Sequence, residues 1–345
     1  MVGHVISLPA LDITFCRRTL KANQSADARA SDQPRDEASA VVALLEDAGH
    51  RVTVSEDGAL GLGRDAVVWI QDNPNWFPEV CRELEGQEAE CRPFSVVWHT
   101  EPLPHPTAAG LPPPRLHARE LAKVLLRDRR ATDVFTNFSR LRSLESCSAP
   151  DLLFVSAPGR IKFLREQGIS AHWAPLGYHS LHGEDLGLDR DIDVLFIGAL
   201  EIPRRKRAIA GLRSSGIEVT AMGSWSDPAL WGENRTRLIN RAKVFLNVQR
   251  YEKELSHMRL ILGGANKALV SSEPMYDPSP YVPGKHYVST SLEEMPSIVR
   301  RYVENEAERR PIVDELYPFV TQQMTLERSV QQILDRIAEE VGTRR

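Results

Sequence analysis

Cysteine is scarce. Four occur in 345 residues, none in a C-x-x-C pair and none with a histidine at zinc-finger spacing. A disulfide framework and a cysteine-built metal centre are therefore without support, and reduced thiols are expected. Long apolar runs are missing too. Nothing approaches the roughly 20 consecutive apolar residues that a bilayer-spanning helix needs. The opening MVGHVISLPALDITF has neither the basic start nor the apolar stretch of a secretory leader. Net positive charge is also absent. With 43 Lys and Arg against 47 Asp and Glu, the formal charge is −4. No general attraction to nucleic acid or to an anionic membrane follows. G-x-x-x-x-G-K-[ST], G-x-S-x-G and G-x-G-x-x-G do not occur, which removes the main support for NTPase, hydrolase and dehydrogenase readings. The expectation is a cytoplasmic protein in which any positive charge that matters acts locally.

What is present is a repeated alternation of short apolar runs and helical patterns. Strands are expected at 2–9, 65–70, 94–99, 133–137 and 151–157, and a helix followed by a strand over 36–54. Helices are expected at 118–130 and 159–168. The stretch 100–114 holds six prolines in fifteen residues and cannot be regular structure. A polar, turn-rich segment follows, and the alternation then restarts at IDVLFIG. The expected class is α/β, with two Rossmann-like domains, each a parallel sheet covered by helices, facing an interdomain cleft. The boundaries read 1–177 for the N-terminal domain, 178–190 for a hinge, 191–325 for the C-terminal domain and 326–345 for a closing helix.

Ligands bind such folds beside the carboxyl ends of strands. In DVLFIGALEIPRRKR the strand stops at Gly198, and Arg204, Arg205, Lys206 and Arg207 open the next helix. A helix N-terminus already carries positive potential, so cations there are unfavourable until an anion arrives. A solvated basic helix face is the alternative reading of such a run. Downstream, Ser256 is placed to cap a helix that carries Arg259 in its first turn, again a cation at the wrong end. Glu252 and Glu254 precede that helix. Glu273 ends the next strand, where a carboxylate can hold ribose hydroxyls.

Taken in order, DIDVLFIGAL, RRKR, LINRAKVFLNVQRY, MRLILGGANKALVSSE, YVPGKHYVSTSLEEMPSIVRRYV and MTLERSVQQIL make the second half resemble GT-B glycosyltransferases. The resemblance is to the group-1 type that includes CgeB-like spore-maturation proteins, and it covers about 191–335. It implies a nucleotide-diphosphate sugar held by the C-terminal domain, an acceptor held by the N-terminal one, and transfer without a metal or a resident cofactor. By position, Gly198 resembles the family's glycine turn. Arg204, Arg205 or Lys206 resemble its diphosphate-binding bases, Arg259 its second phosphate contact, and Glu273 its strand-end carboxylate. Trp225 could stack on the base. The chain departs from the family in three places. The second of two glutamates spaced by seven is an aliphatic residue within RLILGG, so Glu252 or Glu254 would serve as the first. Gln249 stands where relatives read His, and His179 stands where an acidic residue is common.

An inverting transfer needs a base near the acceptor hydroxyl. Strand ends of the first half offer Asp72, in what is also ordinary turn chemistry, and His99 with Glu101 two residues on. Trp69, Trp76 and Trp98 could form an apolar acceptor platform, although core packing explains Trp69 and Trp98 nearly as well. His179 and His182 in the hinge could reach the cleft, His179 as an acceptor contact, with solvated loop histidines as the alternative reading. A zinc site from His99, Glu101 and His105 can be written down but lacks a further ligand. Expected partners are the donor and a small-molecule or glycan acceptor, with no nucleic acid. Two other readings stay open: a nucleotide-sugar epimerase of the same fold, and a non-catalytic scaffold.

Overall fold

The computed structural model describes residues 10–16, 37–55, 66–71, 82–88, 90–103, 137–138, 141–142, 150–223, 230–254 and 257–344. The chain forms two compact units, Met1–Pro175 with Ser329–Arg345, and Leu176–Arg328.

In the first unit the strands are β1 (Asp12–Cys16), β2 (Arg51–Ser55), β3 (Ala66–Gln71), β4 (Phe94–His99), β5 (Leu152–Val155) and β6 (His172–Trp173). They pair in parallel in the order β2-β1-β3-β4-β5-β6. Every side chain of β4 and β5 is buried, as expected of strands covered on both faces. Helix α1 (Glu37–Asp47) buries Ala38, Ala40, Val41 and Leu45 along one stripe. It ends where Gly49 takes φ +89° and His50 N–H returns to Leu45 O at 3.1 Å, which turns the chain into β2. Helix α2 (Gly159–Glu166) buries Leu164 into the cluster of Val68, Ile70, Val97, Leu153 and Val155.

The expected strand at 2–9 and helix at 118–130 lie outside the described residues, and β1 starts later, at Asp12. Of the expected strand at 133–137 only Asn137 is described, and it sits in a helical turn, its Nδ2 donating to Pro102 O at 2.9 Å.

The second unit holds β7 (Ile192–Ile197), α3 (Pro203–Ser214), β8 (Val219–Met222), α4 (Gly232–Asn240), β9 (Ala242–Asn247), α5 (His257–Ala265), β10 (Leu269–Ser272) and β11 (Val288–Ser289). Helices α6 (Met295–Glu304) and α7 (Glu306–Pro318) and a π turn (Phe319–Gln323) follow. Helix α8 (Leu326–Arg344) leaves this unit and joins the first, where Gln332 Nε2 donates to Trp173 O at 2.6 Å. The parallel sheet runs β11-β10-β9-β7-β8, so the chain reverses its direction of growth between β7 and β9. One face buries Val194, Phe196, Val244, Leu246 and Leu269 against Ile209, Leu212, Met295 and Val299. Among the described residues no helix is long and apolar enough to cross a membrane.

The segment expected as a hinge is bonded along its length to the second unit. Arg190 donates to Ala242 O (2.7 Å) and Asn266 O (3.1 Å). Asn240 Oδ1 accepts from Leu186 N–H (2.7 Å), and its Nδ2 donates to Glu184 O (2.8 Å) and Asn266 Oδ1 (2.9 Å). A chain with that many anchors has little freedom to bend locally.

On the other face, α5 lies very close to β10 and the π turn. A Cβ on Gly263 would fall 2.2 Å from Val270 Cγ2, and one on Gly264 2.7 Å from Val320 Cγ2. Small residues are required for this approach, which in turn sets the position of the α5 N-terminus. Gly263→Ala is expected to destabilise the protein by about 2 kcal/mol, read as a fall in the midpoint of denaturant unfolding.

Candidate functional site

The reversal between β7 and β9 marks a crevice at their carboxyl ends, the usual ligand position in an open α/β sheet. Two arginines from different helices meet there. Arg205, in the first turn of α3, is 5% exposed, and its Nε donates to Val248 O, just past β9, at 2.9 Å. Arg259, in the first turn of α5, reaches Asn247 Oδ1 on β9 and Ile197 O on β7, both at 3.3 Å. Their guanidinium carbons lie 5.7 and 5.5 Å from the centre of the Phe196 ring. One aromatic ring thus supports two cations across the seam.

These cations are held at a cost. Burial pushes the Arg205 pKa down to about 10, partly opposed by the charge of Glu254. Burial and then the charge of Arg205 push Arg259 down to about 9, with Glu254 again opposing. Both remain charged at neutral pH. The 3.3 Å contacts of Arg259 are long beside the roughly 2.8 Å of a strong charge-assisted bond. Glu254 is buried and turns its carboxylate to its own loop, Oε2 accepting from Arg250 N–H (2.9 Å) and Tyr251 N–H (3.3 Å). Arg250 acts on both guanidiniums with the same sign, and at Arg205 Glu201 and Glu273 oppose it together with Glu254. Two cations beside the N-termini of two helices make a place where an anion is favoured.

Gly198 makes the arrangement possible. A Cβ there would lie 2.7 Å from Arg259 Nη2, 3.1 Å from Phe196 Cζ and 3.5 Å from Arg205 Nη1. Its N–H donates to Met222 O at 2.9 Å, which keeps the turn close to the end of β8.

Arg204 is drawn to the other side of the crevice. It forms a two-bond ion pair with Glu273, Nη1 to Oε2 at 2.6 Å and Nη2 to Oε1. Gln249 N–H also donates to Glu273 Oε2 at 2.8 Å, while Gln249 Nε2 donates to Glu273 O at 3.1 Å and Pro274 O at 3.2 Å. Lys206 and Arg207 are exposed, and Arg207 Nε turns back to Pro203 O at 3.3 Å. The basic run is therefore divided by helical geometry: Arg205 shares its inward face with Ile209 and Leu212, and the next two residues face outward. Phe196 and Asn247 were not singled out as ligand-side groups by sequence, and Gln249 only as a departure from the family's His. The available signal was their place at the ends of β7 and β9, the two strands flanking the reversal.

His179 Nδ1 accepts from Leu181 N–H at 3.2 Å, and His179 N–H donates to His182 Nδ1 at 3.0 Å. This reciprocal cap closes the short 3₁₀ turn Ser180–His182. Burial, then the charge of His182, lower the His179 pKa, so the ring favours the neutral form that accepts the bond.

In the first unit, His99 ends β4 with 1% exposure, and Glu101 is half-buried. The acceptor platform needs correction. Trp69 and Trp98 are both fully buried and meet edge to face at 6.2 Å, with Trp98 Nε1 donating to Ala174 O at 3.0 Å. They are core residues. Asp72, Trp76, Trp225, Ser256 and His105 lie outside the described residues.

A family model described as glycosyl transferase-like matches residues 204–335. No curated protein matches the sequence. The chain is similar in structure to sucrose-phosphate synthase from Thermosynechococcus elongatus, with a TM-score of 0.63 and 11% identity over 96% of this chain and 100% of that one. It is also similar to HepE from Anabaena in complex with UDP and glucose, with a TM-score of 0.59 and 10% identity over 95% and 100% of the two chains. For TarM the TM-score is 0.56 at 8% identity over 79% of this chain, which spans 55% of the length of TarM. These likenesses bear out the expected two-domain α/β fold.

Gly198→Ala is expected to keep the fold and to weaken binding of inorganic pyrophosphate about tenfold, because the new methyl displaces the Arg259 guanidinium by contact. Titration calorimetry checks the affinity, and far-ultraviolet circular dichroism checks the fold.

Proposed function

We propose that the protein is a glycosyltransferase that moves a sugar from a nucleotide-diphosphate sugar to an acceptor hydroxyl, working without a metal in the cytoplasm. The observation that carries this reading is the pair of guanidiniums, Arg205 buried and Arg259 half-buried, at the carboxyl ends of β7 and β9. The glycosyl transferase-like match spans the helices that bear both. HepE, a structural neighbour, is described with UDP and glucose, which makes a UDP-sugar the first donor to try. The order of RRKR, LNVQ and MRLILGG supports the CgeB-like type within that group.

When the glycosidic bond to the diphosphate lengthens, negative charge grows on the departing phosphate oxygen and positive charge on the anomeric carbon. Fixed cations aimed at that oxygen favour the transition state because they need not reorganise as the charge appears. Arg205, Arg259 and the N-terminal N–H groups of α5 supply such a field. Contacts to Val248 O, Asn247 Oδ1 and Ile197 O hold the guanidiniums in place. On the acceptor side, His99 is buried, and Glu101 keeps part of its surface exposed. Of the two, Glu101 is the base an incoming hydroxyl can meet.

Incubation with UDP-, GDP- and TDP-sugars tests the reading. Transfer or slow donor hydrolysis supports it. Interconversion of the sugar without an acceptor would assign the epimerase chemistry, and donor binding without turnover would assign a scaffold. Arg205→Ala and Arg259→Ala are each expected to weaken donor binding roughly ten- to hundredfold, and exposed Lys206→Ala much less, by calorimetry. Glu101→Gln is expected to slow transfer by about a hundredfold at unchanged donor affinity, read from steady-state kinetics beside direct binding.

A further inference from the structure

We infer that Arg204 sets the ligand selectivity of this site: by occupying Glu273 it excludes unphosphorylated nucleosides and admits ligands that carry a diphosphate. This rests on the donor-site reading above.

Glu273 stands at the end of β10, and its side chain is only 4% exposed. A strand-end carboxylate in such a fold can receive the two hydroxyls of a ribose. Here three of its roughly four acceptor positions are already filled. Oε2 receives Arg204 Nη1 and Gln249 N–H, and Oε1 pairs with Arg204 Nη2. A vicinal diol donates two bonds and meets a carboxylate with about one lone pair left until Arg204 moves.

The two partners are not equally fixed. Glu273 keeps the Gln249 N–H bond whatever Arg204 does, so the carboxylate stays in place. Arg204 is 23% exposed and, among the described residues, Glu273 is the side-chain partner it has. Removing it without replacement leaves a buried carboxylate unpaired, which is strongly unfavourable. A diphosphate changes that balance, since a phosphate oxygen pair accepts the same two-pronged donation as a carboxylate. Glu273, the partner of Arg204, also acts on Arg205 through space, so the ion pair and the Arg205 guanidinium belong to one charge cluster. Anion and diol then bind with positive coupling, each raising the affinity for the other by the same factor. A nucleoside alone must break the ion pair and gains no anion contact in return.

The test is calorimetry on the full chain with inorganic pyrophosphate, with the common nucleosides and with their diphosphates. In the native protein the preferred diphosphate binds, its nucleoside binds far more weakly, and pyrophosphate raises the affinity for that nucleoside. In Arg204→Ala the nucleoside is expected to bind about tenfold more tightly, the diphosphate more weakly, and the pyrophosphate effect is lost. In Glu273→Gln, Arg204 is released, so pyrophosphate binds more tightly and the nucleoside more weakly. Nucleoside and diphosphate weakening together in Arg204→Ala, or an unchanged nucleoside affinity, would overturn the inference while leaving the donor site standing. Should Arg204→Ala not fold, unchanged pyrophosphate affinity in Glu273→Gln overturns it instead. A native protein that binds neither pyrophosphate nor any diphosphate removes the donor site itself, and this inference with it.

Discussion

Two guanidiniums resting on one phenylalanine ring, pinned to carbonyls at the ends of neighbouring strands, are the constraint on which the rest of the second unit depends. A buried cation is tolerated only when its surroundings supply acceptors and a counter-charge. Ile197 O, Val248 O and Asn247 Oδ1 supply the first, and Glu254 supplies part of the second. Glu201 and Glu273 add to it at Arg205. Gly198 is fixed by the space the Arg259 guanidinium needs, and the glycines of α5 by the closeness with which that helix must pack to deliver it. The conformation of the turn and the packing of the helix thus both trace to one electrostatic arrangement.

The position of this arrangement follows from chain order. A sheet that grows outward from β7 to β8 and then returns to the other side with β9 leaves two loops running in opposite directions. In an open sheet of this order a gap forms between them. The gap lies at the strand ends to which α3 and α5 present their N-termini, so cations, helix dipoles and backbone carbonyls converge without any one segment being specialised for the purpose. The anchors from Arg190, Asn240 and Asn266 serve a different end. They hold the chain entering β7 against the bottom of α4 and α5, which keeps the sheet and its helices in register.

Much of the framework was legible in the residues. The apolar runs at 94–99, 151–157 and 192–197 became strands because nothing else buries a short, continuous hydrophobic stretch between helical patterns. The helix at 36–47 was legible from the spacing of Val41 and Leu45 and the stop at Gly49. What was not legible is how a run of like residues divides. Arg204, Arg205, Lys206 and Arg207 look interchangeable in a string, yet one pairs with Glu273, one is buried on Phe196, and two face solvent. Trp69 and Trp98 stayed ambiguous for a related reason. An indole at a strand end can serve a ligand or a core, and only the position of the neighbouring elements decides between them. The segment at 178–190 reads as polar and turn-rich because its backbone bonds to side chains far away in sequence, a pattern that composition cannot separate from a loose linker.

By itself, then, the order of residues determined the class of fold, the alternation of strand and helix, and the concentration of cations after one buried strand, since each depends on local periodicity and on residue chemistry. Which cations are buried, which carboxylate they face, and which glycine makes room for them were decided only in three dimensions. Arg259 and Ile197 lie 62 positions apart, and Arg204 and Glu273 lie 69. Contacts over such separations come from the sheet order, and no local signal encodes them.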